Sequence, residues 1–293
     1  MSAATPVTDF PLSRIPVVNV ASVPQRSPLR YPGGKTWLIP HIRAWLQADR
    51  PDLLIEPFAG GATAALTAVM EERAAQAVMI EIDRDVAAFW RAALDSGATL
   101  CEWIRQFEPT LDRVRALEQS SPTGITEHGF RTLVLNRTRH GGVLAPGATF
   151  CKTGENGKGL GSRWYPETLV QRLVQIQDHA DRLTFIEGDG LQLLPLLLRG
   201  GGRGAAVFID PPYTAAGGKQ AGARLYAHSR IDHAALFALL ADHGVNFLMT
   251  YDAAPEIVDL VHHHGFCAAA LSMKTGHHIR RAELVITPAP VFA

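Results

Sequence analysis

Leu53-Leu54-Ile55-Glu56 is a short apolar run that stops on a carboxylate, and Pro57-Phe58-Ala59-Gly60-Gly61-Ala62 carries the chain out of it into a helical stretch at 63–73. A second apolar run at 77–82 and a second helical stretch at 86–94 follow. Strand, helix, strand, helix at this spacing predicts parallel β-sheet with helices laid across it. The alternation resumes late in the chain: buried strands at 184–187 and 205–209, a helix at 232–243 capped by Asp232, a strand at 246–250 and a helix at 255–263. Runs at 267–273 and 283–287 close the sheet, and the short link through Gly276 suits an antiparallel hairpin.

The two α/β halves are separated by residues 97–182, which read as helices at 100–119 and 126–136 and then a glycine-rich loop at 140–162. The expected division is therefore an α/β domain made of 29–96 and 183–293, with a mainly helical insertion at 97–182. Residues 1–28, with Pro6, Pro11, Pro16, Pro24 and Pro28 among Ser, Thr and Val, read as a flexible arm.

Composition narrows the function classes. The chain has 293 residues, 47% hydrophobic and 19% charged, with 28 basic and 28 acidic side chains and no net charge, which describes a globular protein and excludes a wholly basic coat protein. Cys101, Cys151 and Cys267 lie far apart, so neither a disulfide framework nor a zinc ribbon is expected, and a reducing cytoplasm fits. No apolar stretch approaches the roughly 18 residues that span a bilayer, so no membrane partner is expected. His262-His263-His264 and His277-His278 have no carboxylate or cysteine at ligand spacing and read as surface residues, not a metal site.

The sharpest chemical signal is Val207-Phe208-Ile209-Asp210-Pro211-Pro212-Tyr213. Prolines end a strand at its carboxyl end, where open α/β sheets place their ligands. Asp210 and the Pro211 carbonyl offer adjacent acceptors, and Tyr213 offers a stacking face. That set suits a planar amine: accepting its two N–H groups draws the nitrogen towards tetrahedral geometry and frees its lone pair. A plain Pro-rich turn is the bland alternative.

Two further segments look like ligand loops. In Leu29-Arg30-Tyr31-Pro32-Gly33-Gly34-Lys35 the glycines allow close backbone approach and Lys35 adds a cationic donor. Gly34-Lys35-Thr36 ends like a P-loop, but that pattern requires glycine where Leu29 stands, and no buried strand precedes it. Gly60 and its neighbours form a strand–turn–helix junction that brings a ligand to a helix N-terminus. Glu81, in Ile80-Glu81-Ile82-Asp83 at the end of the next strand, is placed to accept from ribose hydroxyls. Asp189, after Phe185-Ile186-Glu187-Gly188, precedes the strand that leads to Asp210.

Asp-Pro-Pro-Tyr at a strand end resembles the signature of amino-methyltransferases. With the opening segment at Leu29 to Lys35 and the loop Ile55-Glu56-Pro57-Phe58-Ala59-Gly60-Gly61-Ala62, in that order, the chain resembles the Dam-like DNA N6-adenine methyltransferases from about Leu29 to Thr287. The resemblance implies an α/β fold with a Rossmann-like methyltransferase sheet and an inserted helical target-recognition domain. It implies S-adenosylmethionine as cofactor, held by Tyr31, Gly33, Gly34, Lys35, Glu56, Pro57, Phe58, Gly60, Glu81, Ile82, Asp189 and Asp210, with Tyr31 and Lys35 on its ring and amino-acid parts and Asp189 near its adenine. It implies Asp210, Pro211, Pro212 and Tyr213 as the catalytic turn acting on a flipped adenine. The family's loop usually reads F-x-G-x-G, whereas Ala62 stands here at the second of those glycines.

The insertion carries seven basic residues against two acids between Arg131 and Arg172, so a neutral chain has one basic region. Asn136, Arg137, Arg139, Lys152, Lys158 and Arg163 are the candidate contacts to double-stranded DNA, Leu135-Asn136-Arg137 and Arg163-Trp164-Tyr165-Pro166 having counterparts in the family. An ordinary solvated face is the alternative for each. Lys274, Arg280 and Arg281 form a basic hairpin that could touch phosphates. A cognate restriction endonuclease is a candidate partner, and one flipped base requires only a monomer. RNA, a protein glutamine, or an inactive DNA-binding regulator of the same fold remain open as other readings.

Overall fold

The computed structural model describes residues 10–16, 18–31, 33–48, 50–154, 157–200, 204–212, 231–274 and 280–292. The strands are β1 (Leu53–Glu56), β2 (Gln76–Glu81), β3 (Leu183–Glu187), β4 (Ala205–Ile209), β5 (Asn246–Asp252), β6 (Cys267–Lys274) and β7 (Arg280–Thr287). The helices are α1 (Ile39–Ala48), α2 (Thr63–Met70), α3 (Arg84–Asp95), α4 (Gly97–Gln106), α5 (Leu111–Gln119), α6 (Ile125–Thr138), α7 (Pro166–Gln177), α8 (Gly190–Gly200), α9 (His233–His243) and α10 (Pro255–His264).

The strands form one seven-stranded sheet in the order β3-β2-β1-β4-β5-β7-β6. The first five are parallel neighbours, each reached through helical connections, while β7 runs antiparallel between β5 and β6. This is a Rossmann-like α/β sheet with an antiparallel strand inserted near one edge. Strand order reverses between β1 and β4, and the carboxyl ends at such a reversal border an open crevice.

Period-two alternation divides the core in two. Leu54, Met79, Phe208 and Leu248 face one apolar cluster, and Ile55, Val78, Val207 and Met249 face the other. Both faces are covered, so the central strands read as unbroken apolar runs rather than alternating ones. On the first face α1, α2 and α3 lie against the sheet, and α4, α6 and α7 extend the same cluster outward through Leu100, Ile104, Leu133 and Leu173. The stretch read as an insertion thus shares a continuous core with the sheet. Helix α6 crosses α3 closely: a Cβ on Gly129 would lie 2.6 Å from the Ala92 methyl.

Three details differ from the expected elements. The helix expected at 100–119 is two, α4 and α5, broken at Pro109 and restarted by Thr110, whose hydroxyl accepts from Arg113 N. Helices α1, α7 and α8 were not expected, and α8 contains Pro195. The described part of the arm is docked: Pro11 and Ser13 exchange backbone hydrogen bonds with Ala270 on β6, and Arg26 pairs with Glu71 at 2.9 Å. Proline-rich sequence is already extended, which lets it add to a sheet edge without helix formation.

Candidate active site

β4 is buried along its whole length, so Asp210 is the first residue after it to meet the crevice. Ile209 pairs with Met249, which brings Asp210 beside Thr250 on β5, and the Thr250 hydroxyl donates to Asp210 Oδ1 at 2.8 Å. Lys35 Nζ reaches the same oxygen at 2.8 Å, lies 3.3 Å from Glu283 Oε1 and donates to the Gly33 carbonyl at 2.9 Å. An ammonium has three donors, and these are three acceptors. Lys35 is only 5% exposed, so the two carboxylates supply the charge that its burial requires. Lys35 lines the same cavity, and its three donors meet Asp210, Glu283 and the Gly33 carbonyl, an arrangement that fits holding Asp210 in place rather than the implied grip on a cofactor carboxylate.

The glycine loop is fixed from several sides. Gly60 N donates to Glu81 Oε2 at 2.9 Å, and the Gly60 carbonyl accepts from the Trp90 indole at 2.8 Å. Gly60 takes φ +46°, and a Cβ there would lie 2.6 Å from Cε1 of Tyr31, whose ring lies over it. Glycine is therefore required at 60 by both backbone and space. Ala62 adopts a left-handed φ of 51° while fully buried, so the departure from the family's glycine spacing is absorbed by backbone strain. Glu81 Oε1 accepts from Ile82 N and Asp83 N at 2.9 and 3.0 Å. Glu56, at the end of β1, accepts from Ala65 N at 2.7 Å at the start of α2, where unpaired helix N–H groups favour a carboxylate.

Burial nevertheless pushes Glu56 up to about 8, with Asp210 and Glu81 adding to the rise and the Ala65 and Ala64 amides opposing it. Glu81 is also raised, chiefly by burial. Asp189 caps α8, its Oδ1 accepting from Leu191 N at 2.8 Å. Gly190 then passes so close to β1's end that a Cβ would lie 2.1 Å from the Pro57 carbonyl.

These groups line one cavity of about 330 Å³. Tyr31, Gly34, Lys35, Glu56, Pro57, Phe58, Gly60, Glu81, Ile82, Asp189, Asp210 and Pro212 all contribute to its wall. Gly33 stands behind Lys35 at φ +74°, and Pro211 is buried. Tyr213 lies outside the described residues, as do His277 and His278, and the side chains of Lys274, Arg280 and Arg281 are likewise not described. Phe208, Leu191, Ile231 and Asp232 also line the cavity; the first three are apolar and carried no chemical signal in the sequence. The volume falls within the range of small-molecule and cofactor sites. Its donor and acceptor set fits a molecule with a hydroxylated ribose near Glu81, whose Oε2 keeps a second acceptor direction, and with a flat ring beside Ile82 and Leu191.

Three of the six candidate DNA contacts are corrected to structural braces. Asn136 is fully buried; its amide nitrogen donates to the Arg30 and Gly142 carbonyls at 2.8 Å each, and its Oδ1 accepts from Arg30 N at 2.7 Å. Arg137, 6% exposed, donates to the Pro28 carbonyl. Arg139, 8% exposed, pairs with Glu118 at 2.7 Å. They lie on or just after the apolar α6, where buried polar groups must find partners. Lys152 and Lys158 are exposed and Arg163 is half-buried. Among the described residues no group of three or more His, Cys, Asp or Glu could hold a metal ion, and no helix is long and apolar enough to cross a membrane.

No protein-family model matches the chain, and no curated protein matches it in sequence. Among solved structures it is similar to an rRNA methyltransferase, AviRa, from Streptomyces viridochromogenes, at 16% identity over 94% of this chain and 87% of that one, with a TM-score of 0.41. It is similar to precorrin-6y C5,15-methyltransferase from Geobacter metallireducens at 8% identity over 87% and 88%, TM-score 0.39. A SAM-dependent methyltransferase from Agrobacterium tumefaciens matches at 10% identity over 86% of this chain and 61% of that one, TM-score 0.39. Each is a likeness of chain path only.

Proposed function

We propose that the chain is a Dam-like, site-specific DNA adenine N6-methyltransferase that uses S-adenosylmethionine. The observation that carries this reading is the convergence of the Asp210-Pro211-Pro212 turn and the Gly60 loop on one cavity, with Lys35 and Thr250 both fastened to Asp210 Oδ1. S-adenosylmethionine, when bound, supplies an electrophilic methyl group on a sulfonium. The chain's own task is then alignment and exclusion of water. Glu81 would offer an acceptor to the cofactor's ribose, Tyr31 and the Gly60 loop line one wall of the cavity, and Ile82 and Leu191 would hold the cofactor's adenine.

Asp210 and the Pro211 carbonyl are acceptors for the two N–H groups of the target amine. Two carboxylates flank Lys35 Nζ, so Asp210 is held in place without being called on as a strong base. The amine gains its positive charge only on methylation, and its proton leaves afterwards. The base must leave the duplex to reach the cavity, at a cost of a few kcal/mol.

The test is methyl transfer from labelled cofactor to duplex DNA, RNA and protein in parallel, with modified adenines called directly in the DNA. N6-methyladenine confined to one short sequence is the expected result. Label appearing only in RNA or protein, or DNA binding without methyl transfer, would replace this reading by the corresponding alternative.

A further inference from the structure

Residues 28–31 belong to no helix or strand, so their backbone N–H and C=O groups must find partners outside the regular elements. Side chains from two helices supply them. Arg172 on α7 donates to the Ser27 carbonyl at 2.8 Å, and Arg137 on α6 donates to the Pro28 carbonyl. Asn136 takes both polar groups of Arg30: its Oδ1 accepts from Arg30 N at 2.7 Å, and its Nδ2 donates to the Arg30 carbonyl at 2.8 Å. Nδ2 also donates to the Gly142 carbonyl at 2.8 Å, in the turn that follows α6. That turn closes on the same group, because a Cβ on Gly142 would lie 2.1 Å from the Arg30 carbonyl oxygen. The end of α6 and the turn after it thus form a socket for the backbone of residue 30.

The socket fixes the residue that follows. A peptide group is planar, so the Arg30 carbonyl and the N and Cα of Tyr31 move as one unit. On its other side, the Tyr31 carbonyl accepts from Gly34 N at 2.9 Å. Held at both ends, Tyr31 packs on the glycine loop: a Cβ on Gly60 would strike its ring, and a Cβ on Gly61 would lie 3.3 Å from its Cβ. Tyr31, Gly60 and Gly61 line the cavity beside Asp210, and Asn136 is not among its lining residues. Asn136 follows the buried run Leu133-Val134-Leu135 and is itself fully buried, where packing alone favours an apolar side chain. What its three hydrogen bonds secure is the path of a segment 106 positions earlier in the chain.

We propose that Asn136 is a positioning residue for the cofactor: from within the helical stretch between the two halves of the sheet, it grips the backbone of residue 30 and so sets the Tyr31 ring on the glycine loop that walls the cavity. The inference rests on the reading of this cavity as the S-adenosylmethionine site and is independent of which acceptor is methylated. It makes the cofactor wall depend on a helix that does not touch the cavity.

The test is calorimetric titration of S-adenosylmethionine into the full chain carrying Asn136→Ala, Gly142→Ala or Tyr31→Ala, and into the two double variants with Tyr31→Ala. Circular dichroism checks folding, and where Asn136→Ala does not fold, Gly142→Ala, which pushes on the Arg30 carbonyl from the other side, decides. Each of the three single changes is expected to weaken binding by on the order of 10-fold. In the Tyr31→Ala background, Asn136→Ala and Gly142→Ala should change affinity by less than about twofold, because the ring that they place is gone. A general loosening of the fold would instead give the same loss in both backgrounds, and that result overturns the inference. Folded variants with wild-type affinity overturn it as well, and so does a wild type that binds the cofactor no better than Tyr31→Ala does. A wild type that does not bind S-adenosylmethionine at all removes the cofactor reading, and this inference with it.

Discussion

Lys35 Nζ lies 2.8 Å from Asp210 Oδ1, joining the N-terminal glycine segment to the turn after β4 across more than half the chain. Glu283 completes the set from β7 at 3.3 Å, so the ammonium bridges two elements of the sheet and the N-terminal segment. Lys35→Met leaves two neighbouring carboxylates without their counter-charge. The expected cost is about 3 kcal/mol, the low end for a broken buried pair because Asp210 is 24% exposed. Turnover should fall by on the order of 100-fold as Asp210 loses its orientation, while cofactor affinity by calorimetry changes little. Retained turnover with lost cofactor affinity would return Lys35 to the cofactor site.

Asp210→Asn keeps the shape and one acceptor but removes the charge facing Lys35. Methyl transfer is expected to fall by about 100- to 1000-fold, as for removal of a preorganised electrostatic contact. Asp210→Ala should abolish it. Duplex affinity should survive both changes, since the base is held by more than this carboxylate. Single-turnover rates and equilibrium binding measured on the same preparations separate the two quantities, and normal turnover in Asp210→Ala would remove the turn from the chemistry.

The sequence made the sheet legible because its strands are buried on both faces and a helix such as the one after Asp232 begins at a recognisable cap, whereas the Thr110 cap inside 100–119 passed unread. It made Asp210, Glu81 and Lys35 legible because charged residues beside apolar strands and glycines are conspicuous. What it did not reveal is pairing over distance. Nothing local distinguishes Asn136, whose amide closes onto the backbone of residue 30, from an exposed asparagine that reads a base. Arg137 and Arg139 look basic in sequence and are buried in the fold for the same reason. Helix α8 escaped notice because Pro195 lies inside it, and the apolar lining at Phe208 and Leu191 because core and pocket residues share one vocabulary.

The close approaches at Gly60 and Gly190 predict a graded loss of cofactor binding. In Gly60→Ala the new methyl meets the Tyr31 ring at 2.6 Å in a left-handed backbone. About 1–2 kcal/mol of strain follows, and cofactor affinity should drop as Tyr31 is displaced. In Gly190→Ala the methyl meets the Pro57 carbonyl at 2.1 Å, a backbone atom that can yield only by moving α8 away from β1. Gly124→Ala, with nothing within 4 Å, is the control and should behave as wild type. Calorimetric cofactor titration of the three variants checks the order, and equal affinities would mean that the cofactor lies elsewhere.

Glu56 predicts how stability depends on pH. Its ordinary value is 4.5 and burial raises it to about 8 in the folded chain, so between those values the folded state holds a proton that the unfolded state releases. Stability from this group is complete below pH 4.5 and is lost as pH rises through about 8. Glu81 is shifted the same way and adds a slope of the same sign. In Glu56→Gln the amide oxygen still accepts from Ala65 N, and its NH₂ group stands in for the carboxyl proton. Thermal unfolding of both proteins across this range should show a shallower decline in the variant, with Glu81 responsible for what remains. Identical slopes would mean that Glu56 is ionised in the folded protein throughout, its charge carried by the amides at the start of α2.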